Sequence, residues 1–96
     1  MLFAIIGKDK PDSLQLRLDT RPSHLAYFDS LGDAVKFGGP FLNEEGKPFG
    51  SLIVIEAESL EKAKEIAQND PYVKAGLFAT SEVTAWNWVV KKSEEA

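Results

Sequence analysis

Two helical segments, each lying between segments rich in β-forming residues, limit the folds open to this chain more than any other feature of its sequence. The second segment is the better marked, because Ser59 can serve as its N-cap and Asp70-Pro71 ends it. Between these limits an apolar stripe recurs at helical spacing: Leu60, Ala63, Ile66 and Ala67. The preceding segment, Ser51–Ile55, is rich in β-branched residues. We therefore expect a strand followed by an amphipathic helix.

The first helical segment is marked by the pair Arg21-Pro22. Proline is tolerated in the first helical turn, where its missing N–H would have had no partner, and Thr20 can serve as the N-cap. Apolar residues follow at helical spacing until Gly32, which is a typical stop signal. The pattern predicts a helix over residues 21–31.

Three more segments favour strands. Leu2–Gly7 is an apolar run that ends at a polar turn, and residues 77–90 carry many β-formers. Ala34–Phe37 is short enough to be a strand leading into Gly38-Gly39-Pro40, where we expect the chain to turn or bulge. This strand and Ser51–Ile55 are expected to form a hairpin. Residues 13–19 suit a strand as well as a short helical segment, and periodicity does not decide between them.

The order strand, helix, strand, strand, helix, strand predicts an α+β protein. The βαββαβ order is typical of a ferredoxin-like antiparallel sheet with both helices on one face. Trp86 and Trp88 would share the other face at period two, and an exposed apolar face usually marks an association surface. We therefore expect a homodimer in which two sheets face each other. The length of 96 residues predicts a single domain over 1–96, with residues 91–96 a frayed tail.

Composition excludes several classes of function. The chain has no cysteine, which rules out disulfides, thiol catalysis and cysteine-based metal sites and fits a cytoplasmic protein. No apolar run approaches the roughly 20 residues of a membrane helix, and the N-terminus lacks the basic region of a signal peptide. A net charge of −4 gives no basic footprint for nucleic acid or an anionic membrane. We expect neither as a partner.

The single histidine, His24, is the strongest candidate for chemistry. A lone histidine is more often structural than catalytic, but the start of a helix would favour its neutral form, and Asp70 at the end of the second helix could orient it. Arg17 and Arg21, one helical turn apart, could clamp a carboxylate, enolate or phenolate, and Ser51 could point towards the same cleft. We therefore expect His24 and Asp70 as catalytic residues, the other three as substrate-binding residues, and no metal or cofactor.

Two segments carry a resemblance to a known family: RPSHL around His24 and DPYVKAGLF from Asp70 onward, with FGGPF between them. Over nearly its whole length the chain resembles the YciI-like family, also called YCII-related domains. The resemblance implies a ferredoxin-like fold of the dimeric α+β barrel type, with a cleft beside a His-Asp pair that corresponds to His24 and Asp70. It also implies small-molecule chemistry such as isomerisation, elimination or cofactor-free oxidation.

Two hypotheses of different classes follow. The leading one is a small cytoplasmic, homodimeric enzyme in which His24, oriented by Asp70, transfers a proton on a small anionic or phenolic substrate in an elimination or isomerisation, without metal or redox cofactor. The alternative is a non-catalytic module that binds a metabolite or accompanies a partner enzyme. Nucleic-acid binding, which the same fold can host, is disfavoured because the RNA-stacking aromatic pattern and the positive charge are both missing.

Overall fold

The computed structural model describes residues 1–91, which contain four strands and three α-helices. In chain order these are β1 (Leu2–Asp9), α1 (Leu14–Ser30), β2 (Val35–Leu42), β3 (Pro48–Glu56), α2 (Leu60–Gln68), α3 (Pro71–Lys74) and β4 (Phe78–Trp86), with a 3₁₀ turn at Gly32–Ala34. The expected frayed tail falls, apart from its first residue, outside the described residues.

The four strands form one antiparallel sheet in the order β2-β3-β1-β4. Helices α1 and α2 both pack on one face of this sheet, and the core lies between the two layers. Buried apolar side chains from both layers form it: Phe3, Ile5, Phe28, Ile53, Ile55, Ala63 and Ala67. The predicted α+β, ferredoxin-like architecture with two helices on one face is thereby confirmed.

Helix α1 corrects one prediction. It begins at Leu14, so residues 14–19 are helical and Pro22 lies inside the helix, not at its start. The buried side chains of α1 are Arg17, His24 and Phe28, whose spacing is helical. Two of these three side chains are polar, so hydrophobic periodicity does not reveal the buried face of α1. His24 therefore lies well past the first turn, and the expected influence of the helix start on it does not apply.

Helix α2 agrees with its sequence signals. The Ser59 hydroxyl accepts a hydrogen bond from the Lys62 N–H at 3.2 Å, which caps the helix as expected. Gly32 follows the end of α1 with a φ of +58°, a left-handed conformation that suits glycine and explains the stop. The start of α2 and the end of α1 are thus encoded locally, by residue types with specific backbone or capping properties.

Strand β2 corrects a second prediction. Gly38, Gly39 and Pro40 stay within the strand and do not turn the chain. The register shifts of β2 lie on either side of them, between Val35 and Phe37 and between Phe41 and Leu42. The strand lies at the edge of the sheet, where a proline is tolerated because no neighbour needs its N–H. A Cβ on Gly38 would lie 3.0 Å from the Leu52 carbonyl oxygen, so this glycine permits a close approach to β3. The predicted β2–β3 hairpin is present.

Strand β4 ends at Trp86, so Trp88 lies beyond the strand and does not follow its alternation. Both indole rings nevertheless contact Phe37 of β2, with ring centroids 5.6 and 4.9 Å away. Trp86 pairs with Leu2 and Phe37 with Val54, residues on the face opposite the helices. Homodimer formation through this face stays a prediction. None of the helices within residues 1–91 combines the length and the apolar character needed to cross a bilayer.

Candidate active site

One face of α1 carries the polar residues around which the candidate site is built. Arg17 and His24 are 3% and 8% exposed, although they are a charged and a polar side chain inside the layer between helices and sheet. Buried groups of this kind are retained only when they are hydrogen-bonded or paired. Arg21 lies between them on the same side of the helix but is exposed.

The imidazole of His24 binds the carboxylate of Asp70, with 2.8 Å between Nδ1 and Oδ1. The same oxygen accepts the backbone N–H of Tyr72 at 2.9 Å, because Asp70 is the N-cap of α3. An ionised carboxylate only accepts hydrogen bonds, so Nδ1 donates in this bond, and in the neutral imidazole Nε2 then presents a lone pair. Within residues 1–91, Nε2 has no hydrogen-bond partner.

Aromatic rings fix the surroundings of the imidazole. The ring of Tyr72 stacks on His24 with a centroid distance of 3.9 Å and an interplanar angle of 18°. Phe28, one turn later on α1, presents its ring at 62° with centroids 5.0 Å apart. Phe78 packs against Tyr72 at 5.9 Å. The imidazole is therefore held by apolar contacts as well as by the carboxylate.

A second buried pair lies beside the first. The guanidinium of Arg17 donates to both carboxylate oxygens of Asp9, from Nε at 2.7 Å and from Nη2 at 2.9 Å. Nη2 also donates to the Ser51 hydroxyl at 3.0 Å. The Cζ atom of Arg17 lies 4.6 Å from the centre of the Tyr72 ring, which is cation–π geometry. Tyr72 therefore links the two pairs.

Register explains how these residues meet. Ser51 pairs with Gly7 of β1, so its side chain faces the helices, and Asp9 follows two residues later on the same side of β1. A Cβ on Gly7 would lie 2.7 Å from the Phe78 ring, so a glycine makes room for this ring beneath Tyr72.

Burial and charge act against each other at Arg17 and Tyr72. Burial alone would lower the pKa of the Arg17 guanidinium, but the hydrogen bond and charge of Asp9 outweigh it and raise that pKa. Burial raises the pKa of the Tyr72 hydroxyl, opposed by the nearby Arg17 and Arg21 cations. Arg21 thus acts on the site through its charge.

Most of the predicted site residues come together. His24 contacts Asp70, and Arg17 contacts Ser51, whereas Arg21 makes no hydrogen bond or ion pair within residues 1–91. Neither Asp9 nor Tyr72 was among the residues predicted for the site. A carboxylate at the end of β1, on the same strand face as the partner of Ser51, was the available signal for Asp9. In the described part of the chain, no three His, Asp or Glu side chains are arranged to hold a metal ion.

The chain matches proteins of known sequence and structure. The family model of the YCII-related domain matches residues 1–87. Protein YciI of Escherichia coli O6:H1 is 42% identical over 86 residues, which cover 81% of this chain and 88% of that protein. The Emericella nidulans protein named "Derivative of benzaldehyde biosynthesis cluster protein C" is 36% identical over 74 residues, which cover 68% of this chain and 76% of that protein.

Among solved structures, the chain is similar to TftG from Burkholderia phenoliruptrix, a 5-chloro-2-hydroxyhydroquinone dehydrochlorinase in complex with 2,5-dihydroxybenzoquinone. The TM-score is 0.83 at 41% identity, and the match covers 91% of this chain and 94% of that one. The family match and the YciI relatives confirm the family resemblance predicted from the sequence. The chain therefore belongs to the family of YCII-related domains.

Proposed function

We propose that this protein is a small-molecule enzyme in which His24 and Asp70 transfer a proton on a small anionic or phenolic substrate. The observation that carries the proposal is the buried bond from His24 Nδ1 to Asp70 Oδ1, which leaves Nε2 as the basic atom. The similarity to TftG supports elimination as the type of reaction and a hydroxylated ring as the type of substrate.

The chemistry follows from the two ring nitrogens. Nε2 accepts a proton from a substrate hydroxyl or an acidic C–H, and the electron pair left behind moves into the substrate and expels a leaving group such as chloride. The net change is loss of the proton and the leaving group from the substrate. Asp70 stabilises the imidazolium formed in this step, and the imidazolium afterwards releases its proton to solvent.

The remaining polar residues are proposed to bind the substrate. Arg21 is the exposed cation of the site and would attract an anionic or phenolate oxygen. Ser51 accepts from Arg17, so its own O–H is free to donate to a substrate oxygen. Arg17, which already binds Asp9 through two nitrogens, would hold this hydroxyl in place and add positive charge.

Chloride release from 5-chloro-2-hydroxyhydroquinone is the assay that tests this proposal. Replacement of His24 by Ala should lower the rate by about 10²- to 10⁴-fold, the usual contribution of a general base. Tyr27→Phe is a matched control, because it keeps the ring and removes only a hydroxyl that donates to the Ile66 carbonyl. A His24→Ala rate equal to that of the control would contradict the proposal.

Binding of 2,5-dihydroxybenzoquinone, followed by NMR, separates catalysis from simple recognition. Turnover by the wild type that disappears in His24→Ala supports the enzyme. Binding that persists in His24→Ala, with no turnover by the wild type, would instead support the metabolite-binding module. Absence of both binding and turnover would contradict a substrate of the phenolic class.

We further propose that two copies associate through the face of the sheet opposite the helices. The aromatic side chains Phe37, Trp86 and Trp88 lie on or next to that face, and Trp86 is 36% exposed. An exposed aromatic cluster on a sheet face is typical of an association surface. Sedimentation velocity should give a dimer for the wild type and a monomer for Trp86→Glu. A wild-type monomer would contradict this.

A further inference from the structure

Tyr72 contacts more of the candidate site than any role in packing requires. It is 1% exposed, its ring stacks on His24, and its backbone N–H donates to the Asp70 oxygen that binds His24 Nδ1. The same ring meets the guanidinium of Arg17. Arg17 and His24 are seven residues apart on α1, roughly 10 Å along the helix, so the ring lies between them.

We propose that Tyr72 is a positioning residue: it fixes the plane and the tautomer of the His24 imidazole. The proposal rests on the function proposed above, since the orientation of Nε2 matters only if that atom accepts a proton. Tyr72 acts through His24 and Asp70 and need not touch the substrate.

The geometry explains why a second constraint on the imidazole is useful. A single hydrogen bond from Nδ1 to Asp70 restrains one ring atom, but its broad angular tolerance still permits some rotation of the imidazole about its Cβ–Cγ bond. A stacked ring at 3.9 Å and 18° removes that freedom, because any large rotation would drive the imidazole into Tyr72. The direction of the Nε2 lone pair is then set by the protein.

The contacts behind Tyr72 explain why its own ring stays in place. Arg17 is held by two hydrogen bonds to Asp9 and one to Ser51, so the plane of its guanidinium is fixed against the Tyr72 ring. Phe78 supports the ring at 75°. Rigid support of this kind is what holds catalytic groups in productive geometry.

The backbone of Tyr72 adds a second effect on the same oxygen. Its N–H and the His24 Nδ1–H both point at Asp70 Oδ1, so the carboxylate is oriented by α3 before it meets the imidazole. This bond survives any substitution of the Tyr72 side chain that keeps α3 intact. Side-chain variants therefore separate the effect of the ring from the effect of the backbone.

Long-range ¹H–¹⁵N NMR of the His24 imidazole tests the proposal without any substrate. Tyr72→Phe keeps the ring and should keep the wild-type spectrum, with Nδ1 protonated. Tyr72→Met fills a similar volume without a flat ring and should give a mixture of the two neutral tautomers. Tyr27→Met is the matched control, since the Tyr27 ring stands on α1, packs against Phe28 and, among the described residues, does not stack on His24, and it should leave the spectrum unchanged.

A wild-type spectrum in Tyr72→Met would overturn the proposal, and so would a mixed spectrum in Tyr27→Met. If Tyr72→Met does not fold, the chemical shifts of the His24 ring protons in the wild type still test the proposal. The stacked ring should then shift the His24 ring protons upfield in the wild type and in Tyr72→Phe alike, and unshifted protons would overturn the proposal.

Turnover distinguishes failure of this inference from failure of the proposed function. If the wild type releases chloride from 5-chloro-2-hydroxyhydroquinone, Tyr72→Met should lower kcat by about ten-fold or more with little change in KM. This pattern is expected when the base is misplaced and substrate binding is intact. A raised KM with unchanged kcat would overturn the positioning role. If the wild type shows no turnover, the phenolic substrate is wrong, and the NMR result alone decides the role of Tyr72.

Discussion

The layer between the helices and the sheet is built in two different ways along its length. Towards α2 it is an apolar core, with Phe3, Ile55 and Ala63 each at most 1% exposed. Beneath α1, towards α3, the buried side chains include Arg17 and His24. The helix-covered face of the sheet therefore supports a hydrophobic core in one region and a polar network in another.

The difference shows where stability and chemistry reside. Apolar burial contributes roughly 25 cal/mol per Å² of surface removed from water, so the region under α2 stabilises the fold. Buried ion pairs are often no more stabilising than apolar residues of the same volume, because desolvation offsets their attraction. The region under α1 therefore holds the groups that the proposed reaction needs. Apolar burial under α2 supplies the stability that these polar groups do not.

Loss of Arg17 should have the largest effect on stability. Arg17→Met leaves Asp9 buried without its partner, and removal of one member of a buried pair costs about 3–5 kcal/mol. Urea unfolding measures the change. The double variant Arg17→Met with Asp9→Leu should recover much of the loss, since no unpaired charge remains. A single variant that loses less than about 1 kcal/mol would mean that the pair behaves like an exposed one.

Asp70→Asn should affect chemistry more than stability. An asparagine can still cap α3, but its amide no longer enforces a proton on His24 Nδ1. We expect chloride release from 5-chloro-2-hydroxyhydroquinone to fall by about 10²-fold or more, as it does when the orienting carboxylate of a triad is lost. Circular dichroism should show the fold retained. Unchanged turnover would remove Asp70 from the mechanism.

A change in the apolar region should do the opposite. Ile55→Val removes one methyl group from a fully buried side chain and should lower the free energy of unfolding by about 1 kcal/mol. The NMR signals of the His24 ring should not move, because Ile55 belongs to the apolar core. A shifted His24 spectrum would show that the two regions are not independent.

The smallest expected effect is at alkaline pH. Burial raises the pKa of Tyr72 in the folded protein above its unfolded value of about 10. Above that pH the unfolded chain loses a proton that the folded chain keeps, so stability present at lower pH is lost as the pH rises. Urea unfolding between about pH 9 and 11 should show a steeper decline for the wild type than for Tyr72→Phe. Equal slopes would contradict the prediction.

The parts of the fold that the sequence predicted well are those coded by apolar periodicity or by capping residues. Strands β1 and β3 are buried apolar runs, and α2 has a Ser59 cap and an apolar stripe. The predicted start of α1 was wrong because Arg17 and His24 occupy the inward face of the helix, and Pro22 lies inside it. A functional site thus disturbed the pattern from which the helix would have been recognised.

The candidate site was predictable only in part. His24 and Asp70 stand in the two segments that carry the resemblance to the family, so their contact could be expected. The bond between Arg17 and Asp9 depends on how β1 and α1 pack, and no local pattern encodes that packing. The stack of Tyr72 on His24 likewise depends on where α3 meets α1.

The protonation of His24 tests the central claim most directly. ¹⁵N chemical shifts of its imidazole in the wild type, recorded at about pH 8 where an ordinary histidine is neutral, report which nitrogen carries the proton. We predict a protonated Nδ1 bound to Asp70 and a bare Nε2, and loss of this preference in Asp70→Asn. A proton on Nε2 in the wild type would contradict this prediction, because the proposed base would then have no lone pair to offer.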